Sequence, residues 1–387
     1  MDLPSREAVS FHKTSASAML DLVRGLAAFL VLLTHWKMSF FVDYPKIPVH
    51  KAWFAVPYVI CAAGHQAVLI FFVLSGFLIG GSIFRSYELG RWRWSSYLTH
   101  RFVRLWVVLL PGLVLGGLWD WIGLHYTQGA AIYNGTDKSH SIFVSQTLTP
   151  ASLLGNIAFL QTVYVPPFGS NGALWSLANE FWYYILFPLG WLALKRDTSN
   201  AQRILCVALL LPIAWMVRVS ILPLFPVWLA GVLLSRLPSL RLGSGARLAA
   251  AIVYAPLIFV FAKVNVLSTL MQDYIFGAIT FLFFWVLLSA RNEVRDSFMT
   301  SFSRQIARFS YTLYIFHMPA LMLITAIIAG NEYWSPTDLR HTAVAFAVLG
   351  VLVGYAWLMA AATEFHTDKV RRLVERSLTG VAVRSLP

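Results

Sequence analysis

Residues 20–41 read LDLVRGLAAFLVLLTHWKMSFF. An α-helix rises 1.5 Å per residue, so about 20 predominantly apolar residues cross the hydrocarbon core of a bilayer. Runs of comparable character recur at residues 62–83, 102–124, 173–194, 204–219, 221–234, 248–262, 274–290, 310–329 and 342–362. The pattern predicts an all-α, polytopic membrane protein with about ten transmembrane helices. Residues 221–234 are the weakest of these spans, being short and carrying Pro223 and Pro226. Composition agrees. Of 387 residues, 58% are hydrophobic and 12% are charged, whereas soluble domains carry about 25% charged residues. Fifteen Trp, fifteen Tyr and 28 Phe add aromatic groups suited to membrane interfaces. A soluble enzyme, a disordered chain and a disulfide scaffold are excluded. The two cysteines, Cys61 and Cys206, lie far apart and are flanked by apolar residues.

The net charge of +13 reads as topology rather than as nucleic-acid binding. With the N-terminus in the cytoplasm and sides alternating through ten spans, 22 of the 30 Lys and Arg residues fall inside and 6 outside. Arg24 and Arg218 lie within or beside spans. This asymmetry is what the positive-inside rule expects and places both termini in the cytoplasm. The expected organisation is a cytoplasmic tail (residues 1–18), a transmembrane domain (19–363) and a cytoplasmic amphipathic basic tail (364–387) lying on the inner leaflet. No cleavable signal peptide is apparent. The long Gly-, Ser- and Thr-rich connection between Asp120 and Gly172 is expected on the outer side, as a lid or acceptor-binding surface or as an ordinary solvated loop. Gly112/Gly116 and Gly350/Gly354 have the spacing of close helix contacts.

Ionisable groups inside spans are costly and need a partner or a task. Arg24 and His35 are eleven residues apart, which places them about 16 Å apart along a helix and only about 20° around it. They therefore share one stripe. Glu180, in Leu174-Trp-Ser-Leu-Ala-Asn-Glu180, lies early in the fourth span. His35 is late in an outgoing helix and Glu180 early in an ingoing one, so comparable depth and a His–Glu contact are expected, the acid orienting the imidazole. The alternative is Glu180 hydrogen-bonded to neighbouring aromatic groups. His317 is either a second site histidine or a packing group. On the inner side, Arg101 and Arg104 share a helix face and suit phosphate oxygens, or else join a cationic belt against lipid headgroups. Arg85, Arg91 and Arg93 read as that belt. No metal-binding pattern and no GxSxG elbow is present.

Five strings resemble one family when taken together: Arg24-x10-His35, Phe71-Phe-Val-Leu-Ser75-Gly76, Arg101-Phe-Val-Arg104, Leu174-Trp-Ser-Leu-Ala-Asn-Glu180 and Ser310-Tyr-Thr-Leu-Tyr-Ile-Phe-His317-Met-Pro. In this order they resemble the membrane-bound acyltransferase-3 family of ten-helix O-acyltransferases, here without a fused SGNH domain. One departure is Ala67-Val-Leu69-Ile, where many relatives carry an acidic residue before the Phe pair. The resemblance implies transfer of an acyl group, most often acetyl, from cytoplasmic acyl-CoA to a hydroxyl of a cell-surface, exported or lipid-linked carbohydrate. Acyl-CoA is then a donor substrate and no cofactor or metal is resident. The expected partners are the donor, a carbohydrate or glycolipid acceptor and the bilayer of a bacterial-type cell (inner) membrane, with no nucleic acid. His35 is the expected general base and Glu180 its orienter, with an acyl-histidine intermediate as the alternative to direct transfer. Arg24, Arg101 and Arg104 are expected to hold the coenzyme A phosphates. Ser75, Gly76, Trp175, Ser176, Tyr314 and His317 are expected to line the site. The rival reading is a transporter of a sugar or lipid-linked intermediate without acyl chemistry.

Overall fold

Helices occupy every one of the ten expected spans. The computed structural model describes residues 14–49, 51–127, 131–135, 143–263, 266–290 and 298–379. The cytoplasmic assignments of residues 1–13 and 380–387, and the topological use of Lys138, Arg291 and Arg295, lie outside these. The helices are α1 (Ser15–Phe40), α2 (Ala55–Ile60), α3 (Gly64–Glu88), α4 (Trp94–Tyr126), α5 (Val144–Thr147), α6 (Pro150–Ile157), α7 (Trp175–Leu194) and α8 (Asn200–Val217). They continue as α9 (Phe225–Leu234), α10 (Ser244–Lys263), α11 (Thr269–Leu287), α12 (Phe298–Arg308), α13 (Ser310–Ile328), α14 (Leu339–Ala362) and α15 (Thr367–Thr379). Among the described residues, β-structure is limited to isolated bridges.

Eight helical segments are long and apolar enough to cross a membrane. The two expected spans outside that set have identifiable reasons. α7 has 20 residues, but Asn179, Glu180, Tyr183 and Tyr184 lower its hydropathy. The segment Leu222–Leu234 is short, with Pro223 and Pro226 confining its first turn to a tighter helix before α9.

The helix ends follow from local chemistry. Thr14, Thr149, Ser199 and Asp338 each accept a backbone N–H in the first turn of α1, α6, α8 and α14. Pro111, Pro188, Pro212, Pro256 and Pro319 sit inside helices, as transmembrane spans tolerate. α13 is the central helix, packed on α1, α4 and α14. α3 lies closest to α9: a Cβ on Gly76 would strike the carbonyl of Trp228, and one on Gly231 the carbonyl of Val73. Gly112 and Gly116 seat α4 against Ile315 and Pro319 of α13, as their spacing predicts. Gly350 and Gly354 differ: nothing lies within 4 Å of their Cβ positions.

α1 and α13 run parallel, because Arg24 bonds Ala307 O at 3.2 Å while His35 reaches His317, and α4 runs the same way, Gly112 meeting Ile315 and Gly116 meeting Pro319. The starts of α1, α4 and α13 therefore gather at one end of the bundle. α15 packs there on α4, with His100 Nε2 2.7 Å from Glu375 Oε1. This basic end carries both described chain termini. Toward the other end, residues 143–174 fold back into the bundle. Asn156 donates to Ser152 O and Pro166 O and accepts from Phe168 N. Ser170 donates from its N and Oγ to the two oxygens of fully buried Asp120, both at 2.7 Å. Asn171 Nδ2 donates to Ile315 O at 2.8 Å. This part of the long connection is thus a re-entrant plug rather than a solvated loop, and it starts α7 inside the bundle.

Candidate active site

A cavity of about 790 Å³ opens at the basic end and runs inward between α1, α3, α4, α7 and α13. Its lining includes Arg24, Arg85, Arg91, Arg101, Arg104 and Arg236, against two carboxylates, Glu88 and Glu180. Arg85 and Arg91, expected in a lipid-facing belt, instead stand at the cavity mouth. Arg236 joins them, pairing with Glu88 at 2.6 Å.

The three arginines expected from the motifs converge deeper. Arg24 bonds Ala307 O and pairs with Asp21 at 3.2 Å. Arg101 lies over the rings of Tyr97 and Tyr184, at 5.7 and 5.9 Å from their centroids. Arg104, one turn further on α4, is exposed although protein surrounds it, because its accessible surface is cavity wall. It is within electrostatic reach of Arg24, Arg101, Glu180 and Glu364. Glu364 accepts from Thr312 N at 3.0 Å and Thr312 Oγ1 at 2.8 Å, which ties the chain after α14 to the first turn of α13. The Nε atoms of Arg24 and Arg101 are buried and have no hydrogen-bond partner. Buried donors of this kind are costly unless a ligand meets them. Anionic oxygens, and phosphate above all, suit such a set of guanidinium groups.

Further in, Ser75 joins three helices. Trp228 Nε1 donates to Ser75 Oγ at 3.1 Å, and Ser75 Oγ donates to Glu180 Oε1 at 3.0 Å. Tyr184 OH donates to the same carboxylate oxygen. Glu180 and Tyr184 are four apart on α7 and share a face, so the contact is the alternative expected for Glu180, a hydrogen bond to a neighbouring aromatic group. Above them, Tyr314 OH donates to Ala173 O at 2.8 Å and lies 2.6 Å from Ser176 Oγ. Tyr314, Ser176 and Phe71 belong to the cavity lining.

The histidines lie just beyond this wall, the rings of Tyr314 and His317 being 6.2 Å apart. His35 Nδ1 is 2.8 Å from His317 Nε2, and the two rings stack at 14° with centroids 5.1 Å apart. The proton positions follow from the partners. His317 Nδ1 lies 2.9 Å from Leu313 O, which can only accept, so Nδ1 carries the proton. In a neutral His317 ring Nε2 is then an acceptor, and His35 must donate to it from Nδ1–H. The lone pair of a neutral His35 is thereby placed on Nε2.

Glu180 does not meet His35, contrary to the expected pair. Gly64, at the start of α3, abuts Thr34, so that start is level with His35. Ser75 lies eleven residues further along α3, about 16 Å toward the basic end, and Glu180 is bonded to Ser75. Glu180 lies deeper than His35 because the plug before α7 enters the bundle, so α7 does not begin at the surface. Two other expected lining residues stand elsewhere. Gly76 is a contact between α3 and α9, and Trp175 packs edge-on against Phe72 at 6.1 Å, outside the cavity lining. Among the described residues, no group of three His, Cys, Asp or Glu side chains could hold a metal ion.

Comparison with curated proteins and with solved structures yields no match. Residues 18–360 match the family model described as an acyltransferase domain, and with a match over most of its length the chain belongs to the acyltransferase-3 family of membrane acyltransferases.

Proposed function

We propose that this acyltransferase moves an acyl group, most often acetyl, from cytoplasmic acyl-CoA to a carbohydrate hydroxyl presented at the opposite membrane face. On this reading the basic end faces the cytoplasm of a bacterial-type cell, as the positive-inside rule expects. The observation that carries it is the cavity itself: guanidinium groups with buried, unpartnered Nε atoms at one end, and a histidine pair just beyond the other. Arg24, Arg101 and Arg104 hold the donor's phosphates, with Arg85, Arg91 and Arg236 drawing it to the mouth. The thin pantetheine arm passes Ser75 and Glu180, which belong to the donor channel rather than to the base. Ser176 and Tyr314 flank the thioester end.

His35 Nε2 accepts the proton of the acceptor hydroxyl as that oxygen attacks the thioester carbonyl carbon. The carbon–sulfur bond then breaks, the ester forms, and the proton passes from His35 to the departing coenzyme A sulfur. His317, anchored to Leu313 O, orients His35 and stabilises its imidazolium form; this is the role the sequence had suggested for Glu180. The reading is tested with bilayer-reconstituted protein, acetyl-CoA and a panel of methyl glycosides by following free thiol. Glycoside-dependent thiol release that His35→Ala abolishes, with expression and membrane insertion retained, is the expected result. Unchanged release in that variant overturns the assignment. Absence of release from the native chain favours transport without chemistry.

A further inference from the structure

A second imidazole, at the end of the bundle opposite the arginines, is held in a way that the transfer steps do not use. His65, in the first turn of α3, donates its Nε2–H to Asp273 Oδ1 at 2.8 Å. Asp273 belongs to the apolar helix α11 and its side chain is 8% exposed, whereas that of His65 is 39% exposed. Ionisable groups at such positions face the bundle interior or water rather than lipid, and they mark sites more often than scaffolding. The imidazole lies at 20° to the indole of Trp175, with centroids 6.2 Å apart. The indole in turn meets Phe72, which lines the arginine cavity. Trp175 thus stands between that cavity and His65. Because Gly64 abuts Thr34, the next residues along, His65 and His35, sit at matching depth on neighbouring helices.

We propose that His65, Asp273 and Trp175 form a subsite for a pyranose ring of the acceptor, entered from the end opposite the arginines. The proposal rests on the acyl-transfer reading above. The C–H face of a pyranose covers an indole well, because its axial hydrogens meet the electron-rich ring face. A hydroxyl at the ring edge bonds imidazole Nδ1, which the Nε2–Asp273 bond leaves available. Asp273 is a positioning residue: it fixes the imidazole's tautomer and angle. A polar pair beside one aromatic plate selects a sugar over a lipid chain, since a lipid covering the imidazole would leave its Nδ1 without a hydrogen-bond partner.

The test uses the full chain in lipid nanodiscs with the same methyl glycosides, reading equilibrium binding and thiol release separately. The native protein binds at least one glycoside. His65→Gln, Asp273→Asn and Trp175→Leu weaken that binding by about tenfold or more. Coenzyme A binding stays within about twofold in each, which also certifies their folding. Trp175→Phe, keeping an aromatic face, recovers part of the affinity. Binding of no glycoside by the native chain, or equal binding by native and variant chains, overturns the subsite. Binding that depends on these residues without thiol release leaves the subsite standing and removes the transfer reading instead.

Discussion

At the scale of single residues, the histidine pair shows how one hydrogen bond to a carbonyl sets the chemistry of a neighbour. His317 is 1% exposed and its Nδ1 is committed to Leu313 O, so its Nε2 is the atom presented to His35 Nδ1. Replacing His317 with Ala removes that acceptor and the stacked ring that orients the His35 imidazole. The expected outcome is a fall in kcat of about 100-fold with little change in donor KM, measured by steady-state thiol release. Gly76 makes the complementary point about space. Its Cβ would meet the Trp228 carbonyl, and backbone cannot move aside as a side chain can. Gly76→Ala is expected to cost about 1–3 kcal/mol or more and to lower the thermal midpoint without directly touching the cavity. Both positions stand in motifs that the sequence brings to notice. Nothing in the strings tells the histidine proposed for the site from the glycine that works in packing.

At the scale of elements, the plug before α7 determines what the site can be. Its anchor is Asp120, whose two oxygens accept from Ser170 N and Oγ, with Gly169 beside it at φ +60°. A side chain at Gly169 would be both strained and driven into the Asp120 carboxylate. Asp120→Ala leaves the buried Ser170 N–H unpaired and is expected to destabilise the fold by about 1–3 kcal/mol, with limited proteolysis between residues 143 and 172 as the local readout. The entry to α14 responds to pH. Asp338 caps that helix, and the backbone N–H of His341 holds its carboxyl below the usual carboxylate range. A lowered folded-state pKa contributes stability above the unfolded-state value and loses it as the pH falls through the folded one. The thermal midpoint of Asp338→Ala is therefore expected to lie below that of the native chain at neutral pH, the gap closing in acid.

At the scale of the whole molecule, charge and depth are arranged as a gradient. The cavity mouth and floor bring six guanidinium groups to one end, while the histidines stand beyond the far wall among apolar helices. On the proposed reading such a field draws the polyanionic donor, and salt screens it. Arg101→Ala is expected to raise donor KM by about 10- to 100-fold while leaving acceptor KM in place, and donor KM of the native chain is expected to rise with ionic strength. An unchanged donor KM would remove Arg101 from the phosphate site. α8 and α10 contribute little to this centre. They show most of their apolar surface outward, as lipid-facing helices do.

Much of this was legible from residue order. Apolar runs near the thickness of a bilayer, and eleven-residue spacing on one helix, are one-dimensional facts with a direct physical reading. They yielded the spans, the common stripe of Arg24 and His35, and the family. The partner of His35 was not legible, because it depends on depth, and depth was inferred by assuming that each span begins at a membrane surface. The plug breaks that assumption for α7. It moves Glu180 toward the arginines and leaves His317, on a parallel helix, at the level of His35. The identity of the spans and of the chemical groups was thus determined by sequence alone, since burial of apolar surface and the cost of intramembrane charge are local. Which groups meet was decided by tertiary structure, because that depends on where the plug, a re-entrant segment with only short helices, lets the next helix begin.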